Sequence, residues 1–481
     1  MSTSRAPEPR TATAPALSDE PQSDKPAAYQ EPKDTRLASR EPEARTTGAP
    51  TTPQGSAPER KKSVLFRNRD FALIWSGETV SLLGSEISVI ALPSLAVLAF
   101  GQGALGVGLL VAAQWLPFVV LAPIMGVLTD RLRRKPLMLL ANAARIVILG
   151  SLPLLWVMDA LTIEYLYVAA LLKGVFDVVF QLAYQAYLTQ LLPREDFIDG
   201  NAKTQLSRSI ATVFGRSAGG ALVGLLGAAR AIAADALSYL VSFIMLTRIR
   251  TEEPPPRPTN KGMRATLADL GSGFRITFGN RLLRYLTFIA MCGNLAISMV
   301  LAMLIVFCYR DLGFSSTEVG IAFGVGATPV LVGAVLSRQI NQRLGMGTSM
   351  ILTNALLALA FIVLPFADNR SKAVALAVVM ISQGIATFSS PIANVAIMSL
   401  IQKATPPQAM GRMGGVALPL VWGANAAGPL LGAAVAATFT NTAPFVTAAV
   451  LAGIAMALVI AGRIYRLSDE VPEEMRVVVD D

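Results

Sequence analysis

Several charged side chains lie inside long apolar runs, where a charge is costly and points to function. Glu78 and Glu86 share one such run, eight residues apart. On an α-helix that spacing gives roughly 12 Å of rise and about 80° of rotation, so both carboxylates can face one cavity. A carboxyl group withdrawn from water is a candidate proton carrier. Glu86 falls at about mid-depth of its run, and Glu78 lies nearer one end. Lys173 and Asp177 stand four apart in another run and can neutralise each other. Arg145, Arg216 and Asp235 occupy three further runs.

Other chemistries are excluded by what the chain lacks. It has no histidine, the residue most used to titrate near neutrality and to hold metals. Proton chemistry must therefore rest on carboxylates. Cys292 and Cys308 share one apolar run, which would set them roughly 24 Å apart on a helix, too far to bridge. No phosphate-cradling GxxxxGK[ST] stretch occurs, which argues against ATP hydrolysis. We expect no enzyme activity, no cofactor and no metal.

The elements that must position these residues are membrane spans. The 481 residues are 53% hydrophobic and 15% charged, against roughly 25% charged in soluble proteins. Apolar segments of spanning length fall near 73–99, 104–129, 137–158, 164–190, 204–227 and 229–249. Six more follow near 284–308, 317–339, 347–367, 373–402, 413–437 and 443–464. The expected fold is all-α: twelve transmembrane helices in two pseudo-symmetric six-helix bundles around a central cavity. The bundles cover 66–250 and 283–465, joined by a linker at 251–282 that carries an amphipathic segment, Ala265 to Phe278. Residues 1–63, rich in Pro, Ala, Ser and Thr, read as a disordered tail, and 466–481 as a second tail.

The formal charge of +9 sits mostly in short loops, a topology signal rather than a nucleic-acid footprint. Lys and Arg crowd the N-terminal flank, the second-to-third loop and the linker. They are absent from the first-to-second and eleventh-to-twelfth loops. Both termini are therefore expected in the cytoplasm of a multi-pass cell-membrane protein.

The second-to-third loop reads GVLTDRLRRKP, from Gly126 to Pro136. Asp130 closes the second span at its C-terminal end, where it opposes its own helix dipole. The eleventh span enters on the same side, with Arg412 at its start. Gly126, one turn before Asp130, would let the two backbones approach. Asp130 is thus expected to hold the second and eleventh helices together as a cytoplasmic gate.

This loop resembles the G-x-x-x-D-R-x-x-R-[RK] motif of the major facilitator superfamily, with Gly126, Asp130, Arg131 and Arg134 at its Gly, Asp and two Arg positions. A worn copy without the acid runs from Gly333 through Arg338 to Arg343-Leu344-Gly345. The resemblance covers about residues 66–465. RNRDFALIWSGETVSLLGSE, LAYQAYLTQLLPRE, GNAKTQLSRS and DALSYL further resemble the twelve-helix drug/proton antiporter branch that includes macrolide-efflux-like exporters.

The resemblance implies alternating access, and for that branch efflux of amphipathic compounds coupled to protons. It places Glu86, Glu78, Asp177 and Arg216 as proton- or substrate-coupling candidates. It gives Gln114, Trp115, Phe180, Tyr184, Asn294, Phe323, Gln383, Trp422 and Asn425 as candidate cavity walls. The branch has proline after glycine on the fifth helix where this chain has Arg216, and Gly428-Pro429 keeps the pattern in the second half. Because the first and fifth helices are neighbours in that fold, Arg216 is expected to pair with Glu86. Arg145 and Asp235 are expected to be structural, on helices outside the cavity. The implied partners are the lipid bilayer, a small molecule and protons, with the chain acting as a monomer. The alternatives are a proton-coupled importer of a nutrient or siderophore and a non-transporting scaffold or receptor.

Overall fold

Asn68 and Asn280 open the two halves of the molecule in the same way. Each caps a 30-residue helix, accepting a hydrogen bond from the backbone N–H three residues on, at Phe71 (2.9 Å) and Leu283 (3.1 Å). The computed structural model describes residues 64–193, 196–251, 253, 263–368, 370–467, 472 and 477, with the backbone alone for 66, 122–131, 198, 263–269 and 407. Residues Lys61–Asp481 form one unit. The tail expected over residues 1–63 lies outside the described residues.

A single turn, α1 (Val64–Arg67), leads into six long helices: α2 (Arg69–Leu98), α3 (Ala104–Arg131), α4 (Arg134–Val157), α5 (Ile163–Leu191), α6 (Phe197–Leu226) and α7 (Ala228–Thr247). The linker helix α8 (Met263–Gly279) follows. The second set is α9 (Arg281–Arg310), α10 (Ser316–Ala327), α11 (Pro329–Leu344), α12 (Met346–Ile362), α13 (Lys372–Ala404), α14 (Pro407–Thr438) and α15 (Ala443–Ala461). Among the described residues twelve segments are long and apolar enough to cross a membrane, α10 and α11 together making one. The eighth span, expected to be one helix, breaks at Thr328 because Pro329 has no N–H to donate and its ring crowds the preceding turn. No strand occurs among the described residues.

The two halves repeat the same packing. In the first, α2 packs on α7 and α6, α3 on α5, and α4 on α5 and α7. In the second, α9 packs on α15 and α14, α10 and α11 on α13, and α12 on α13 and α15. Outward faces carry bare apolar side chains such as Val147, Leu225 and Val335, as a lipid-facing surface requires.

The most extensive contacts between the halves are α3 to α14 and α6 to α10. At the second, the Cα of Gly220 lies against Gly320, and Ser217 fills the space beside Gly324. Small residues let the backbones touch where larger ones would hold them apart. At the same end Ser94 Oγ and Tyr309 OH are 2.9 Å apart, and Arg310 donates to the Gly101 carbonyl. This end of the bundle is closed. At the opposite end α8 lies on α14, with Gly273 against the carbonyl of Arg412, and the Val477 N–H donates to the Ala404 carbonyl at 2.8 Å.

Candidate substrate and coupling site

Six helices of the first half surround a charged cavity of about 270 Å³. From α2 come Glu78 and Glu86, from α3 Gln114, Trp115 and Phe118, and from α5 Lys173, Asp177 and Phe180. Arg145 of α4, Arg208 of α6 and Tyr239 of α7 complete the wall. The helices approach closely because Gly215 of α6 sits against Glu86; a methyl group there would lie 2.6 Å from the Glu86 Cβ.

Within this cavity the charges divide into three groups. Glu86 is fully engaged: Arg216 Nε donates to Oε2 at 2.8 Å and Thr212 Oγ1 to Oε1 at 3.2 Å. Asp177 lies between two cations, Lys173 Nζ at 2.8 Å and Arg145 Nε at 2.9 Å. Arg145 also donates to the Asn142 side chain (3.2 Å) and the Phe176 carbonyl (3.1 Å), and its guanidinium lies 4.4 Å from the Phe180 ring centre. The third group is Glu78 and Arg208. Glu78 is 6% exposed, and its Oε2 is buried without a hydrogen-bond partner among the described residues. Arg208 acts on it across the α2–α6 contact without closing an ion pair.

One sequence expectation changes here. Arg145 was assigned to a helix outside the cavity, yet α4 turns it inward onto Asp177 and the cavity wall. Asp235 keeps a structural place, fully buried and accepting from Ser88 and Ser238. Arg208 was missed, although it precedes Arg216 by the same eight residues that separate Glu78 from Glu86. That matched spacing on two packed helices was the available signal.

The other expected residues scatter. Tyr184 is buried and stacks on Phe180, with ring centres 6.0 Å apart. Trp422 meets Phe118 edge-on at 5.2 Å, and Asn425 is half-buried on the same helix. Asn294 lines a second, apolar cavity of about 410 Å³ in the other half. Phe323 sits in the apolar core, fully buried, and Gln383 is buried with its Cβ facing Gly326, so neither lines a described cavity. Of the loop residues, the side chains of Gly126, Asp130 and Arg131 lie outside the described residues. Arg134 is held by Glu253, which accepts from its backbone N–H at 2.7 Å and its guanidinium at 3.3 Å. Glu253 also accepts from the Lys135 N–H at 3.2 Å, so the linker caps the start of α4. Among the described residues no three potential metal ligands cluster.

Comparison with known proteins places this geometry. The family model described as Major Facilitator Superfamily matches residues 74–429. A Bacillus subtilis protein named as an uncharacterized MFS-type transporter, YfiS, is 25% identical over 183 residues, 38% of this chain and 43% of its own length. The enterobactin exporter EntS of Citrobacter koseri is 25% identical over 312 residues, 64% of this chain and 70% of that one. The multidrug efflux pump Tap of Mycolicibacterium fortuitum is 25% identical over 358 residues, 72% and 83% of the two chains. Among solved structures, a bacterial homologue of the human lysosomal transporter Spinster, inward-facing and unoccupied, superposes with a TM-score of 0.65 at 15% identity, over 87% of this chain and 100% of that one.

Proposed function

The chain belongs to the major facilitator superfamily, and from that premise we propose that it exports a small amphipathic compound in exchange for protons. The observation that carries the coupling is Glu78. A buried carboxylate oxygen without a donor is neutralised by taking a proton, whereas Glu86 already has a cation and a hydroxyl on its two oxygens. The coupling role therefore moves from Glu86 to Glu78, with Arg208 as the cation that balances the carboxylate left on Glu78 when its proton departs. Asp177 and Arg216 serve to hold their partners in place. Export is supported by the printed functions of two relatives, an enterobactin exporter and a multidrug efflux pump.

The positive flanks place the end bearing Arg67, Lys135 and Arg248 in the cytoplasm of the cell membrane, with both termini there. The closed end at Gly220 and Gly320 then faces outward, which supports reading this as an inward-facing state. Transport follows when the halves rock, opening that end and drawing α3 and α14 together at the cytoplasmic one. Asp130 and Arg412 are the groups we assign to that second closure. If so, Asp130→Asn leaves cytoplasmic cysteine probes on α14 reactive throughout the cycle; unchanged reactivity counts against the gate. One chain supplies both walls of the cavity, so a monomer suffices.

The deciding experiment uses everted vesicles with an acid interior and ethidium outside. Uptake that collapses with the pH gradient supports export by antiport. Uptake indifferent to the gradient sinks proton coupling, and flux only in the opposite direction sinks export.

A further inference from the structure

The corner where the linker helix meets the second half carries side chains that transport does not use. The inner face of α8 is occupied by α14: Gly273 lies against the Arg412 carbonyl and the Val416 side chain, and Thr277 is fully buried. The outer face carries two rings. Phe274 is 57% exposed and packs against Phe278, with ring centres 4.5 Å apart. Phe278 in turn meets Phe288 of α9 edge-on at 5.9 Å, and Phe288 is 40% exposed. The three rings extend the bare apolar surface of α9 onto the linker helix.

Two guanidinium groups border these rings. Arg281, Arg284 and Phe288 stand three and four residues apart in turn, one stripe of α9, and both arginines are exposed. Among the described residues neither arginine meets a carboxylate: Arg281 lies over the Tyr285 ring at 5.9 Å, and Arg284 donates to the Phe278 carbonyl at 3.1 Å. Depth follows from length. The 30 residues of α9 make about 45 Å of helix. A bilayer with both headgroup layers is roughly 40–45 Å thick. Arg281 and Arg284 therefore stand at headgroup level, and Phe288 reaches the edge of the hydrocarbon. The repeat supplies a contrast. Counted from the capping asparagines, Arg284 and Phe288 correspond to Ala72 and Ser76 of α2. The nearby Arg67 is already held by Asp196 at 2.9 Å. The corner belongs to the second half and is not a property of the repeat.

We infer that the α8–α9 corner docks an anionic phospholipid of the cytoplasmic leaflet, its phosphate between Arg281 and Arg284 and its acyl chains along Phe288, Phe278 and Phe274. Charge selects the occupant. A neutral lipid would cover the rings and leave the arginines unmatched, whereas an anionic one answers both. The cytoplasmic leaflet is where anionic lipids set a negative surface potential. Apolar burial and attraction to anionic lipid together are what hold a helix with an aromatic face and basic residues at a membrane surface. Because α8 already packs on α14, a lipid shared by α8 and α9 ties the linker to the second half. The inference takes from the transport reading only which end is cytoplasmic, and neither direction nor coupling.

The test follows the purified full chain in neutral detergent by native mass spectrometry. The probes are phosphatidylglycerol and phosphatidylcholine with identical acyl chains, and inorganic phosphate. We expect phosphatidylglycerol to be retained in preference to phosphatidylcholine. Arg281→Gln with Arg284→Gln should weaken its binding about thirtyfold, in protein that melts as the wild type does. Phe278→Ala with Phe288→Ser should weaken both lipids. Arg69→Gln, at the place of Arg281 on α2, should leave the preference unchanged. Equal retention of the two lipids by the wild type overturns the inference. So does wild-type affinity in the arginine variant, or an equal loss in Arg69→Gln. Displacement of the lipid by inorganic phosphate marks a simple anion site and overturns it too. Flux in everted vesicles that ignores the pH gradient, with this lipid preference intact, would sink proton antiport and leave the inference standing.

Discussion

At the scale of single residues, the ion pair and the unpaired acid call for opposite responses to mutation. Arg216→Leu leaves Glu86 largely buried without its cation, which should destabilise the fold by about 3 kcal/mol. Glu86→Gln in the same chain should recover most of that loss, because no buried charge then remains. Apparent melting temperatures of the two single variants and the double variant measure the coupling; additive effects would argue against the pair. Glu78→Gln should behave differently. It removes an acid that has no donor on Oε2, so melting should hold steady while the pH dependence of transport disappears. A Glu78→Gln protein that still follows the gradient would return the coupling role to another carboxylate. Sequence spacing alone showed that Glu78 and Glu86 share a face. It could not show which of them had found a base, because that depends on how α6 is rotated against α2.

For the helices, the reading of apolar runs succeeded where burial is uniform and failed where a local rule intervened. All twelve spans are present, and α8 falls where an amphipathic segment was expected. The break at Thr328 was written in Pro329, yet a window of mean hydropathy passes over it. Arg145 was misplaced for a related reason: the helix on which it lies is peripheral, but the side chain is long enough to reach past α5 to the cavity. The linker offers a further check. Glu253 closes the first turn of α4 by accepting from the N–H groups of Arg134 and Lys135. Glu253→Gln keeps the shape and removes the charge that the helix N-terminus favours, at a cost of about 1 kcal/mol. Faster amide exchange confined to the start of α4 is the expected signature; exchange spread evenly over the first half would contradict it.

For the whole molecule, the relevant objects are two bodies meeting at narrow seams. A Cβ built on Gly224 would lie 3.7 Å from the Cβ of Thr317, within the range a disulfide spans. With Cys292 and Cys308 replaced by serine, Gly224→Cys with Thr317→Cys should form a disulfide that fixes the closed end. Transport should then stop under oxidation and return on reduction. Continued transport by the fully oxidised protein would mean that this end need not open. The fold was legible because membrane insertion writes itself into composition over twenty-residue stretches. The substrate was not, because the two halves share a plan and differ at a few cavity side chains, which no composition window reports.

That difference also decides where water goes. A wall bearing carboxylates and guanidinium groups holds ordered water more firmly than the second cavity, whose mostly apolar lining carries only neutral polar groups such as Asn294, Asn354 and Ser389. Opened to solvent, the charged cavity along α2, α5 and α6 is the more strongly hydrated of the two. A hydrogen-bonded file of water able to pass protons can therefore form beside Glu78. An apolar group settling against the methionine and leucine surface of the second cavity displaces only weakly held water, so its arrival should register chiefly as heat released rather than as disorder gained.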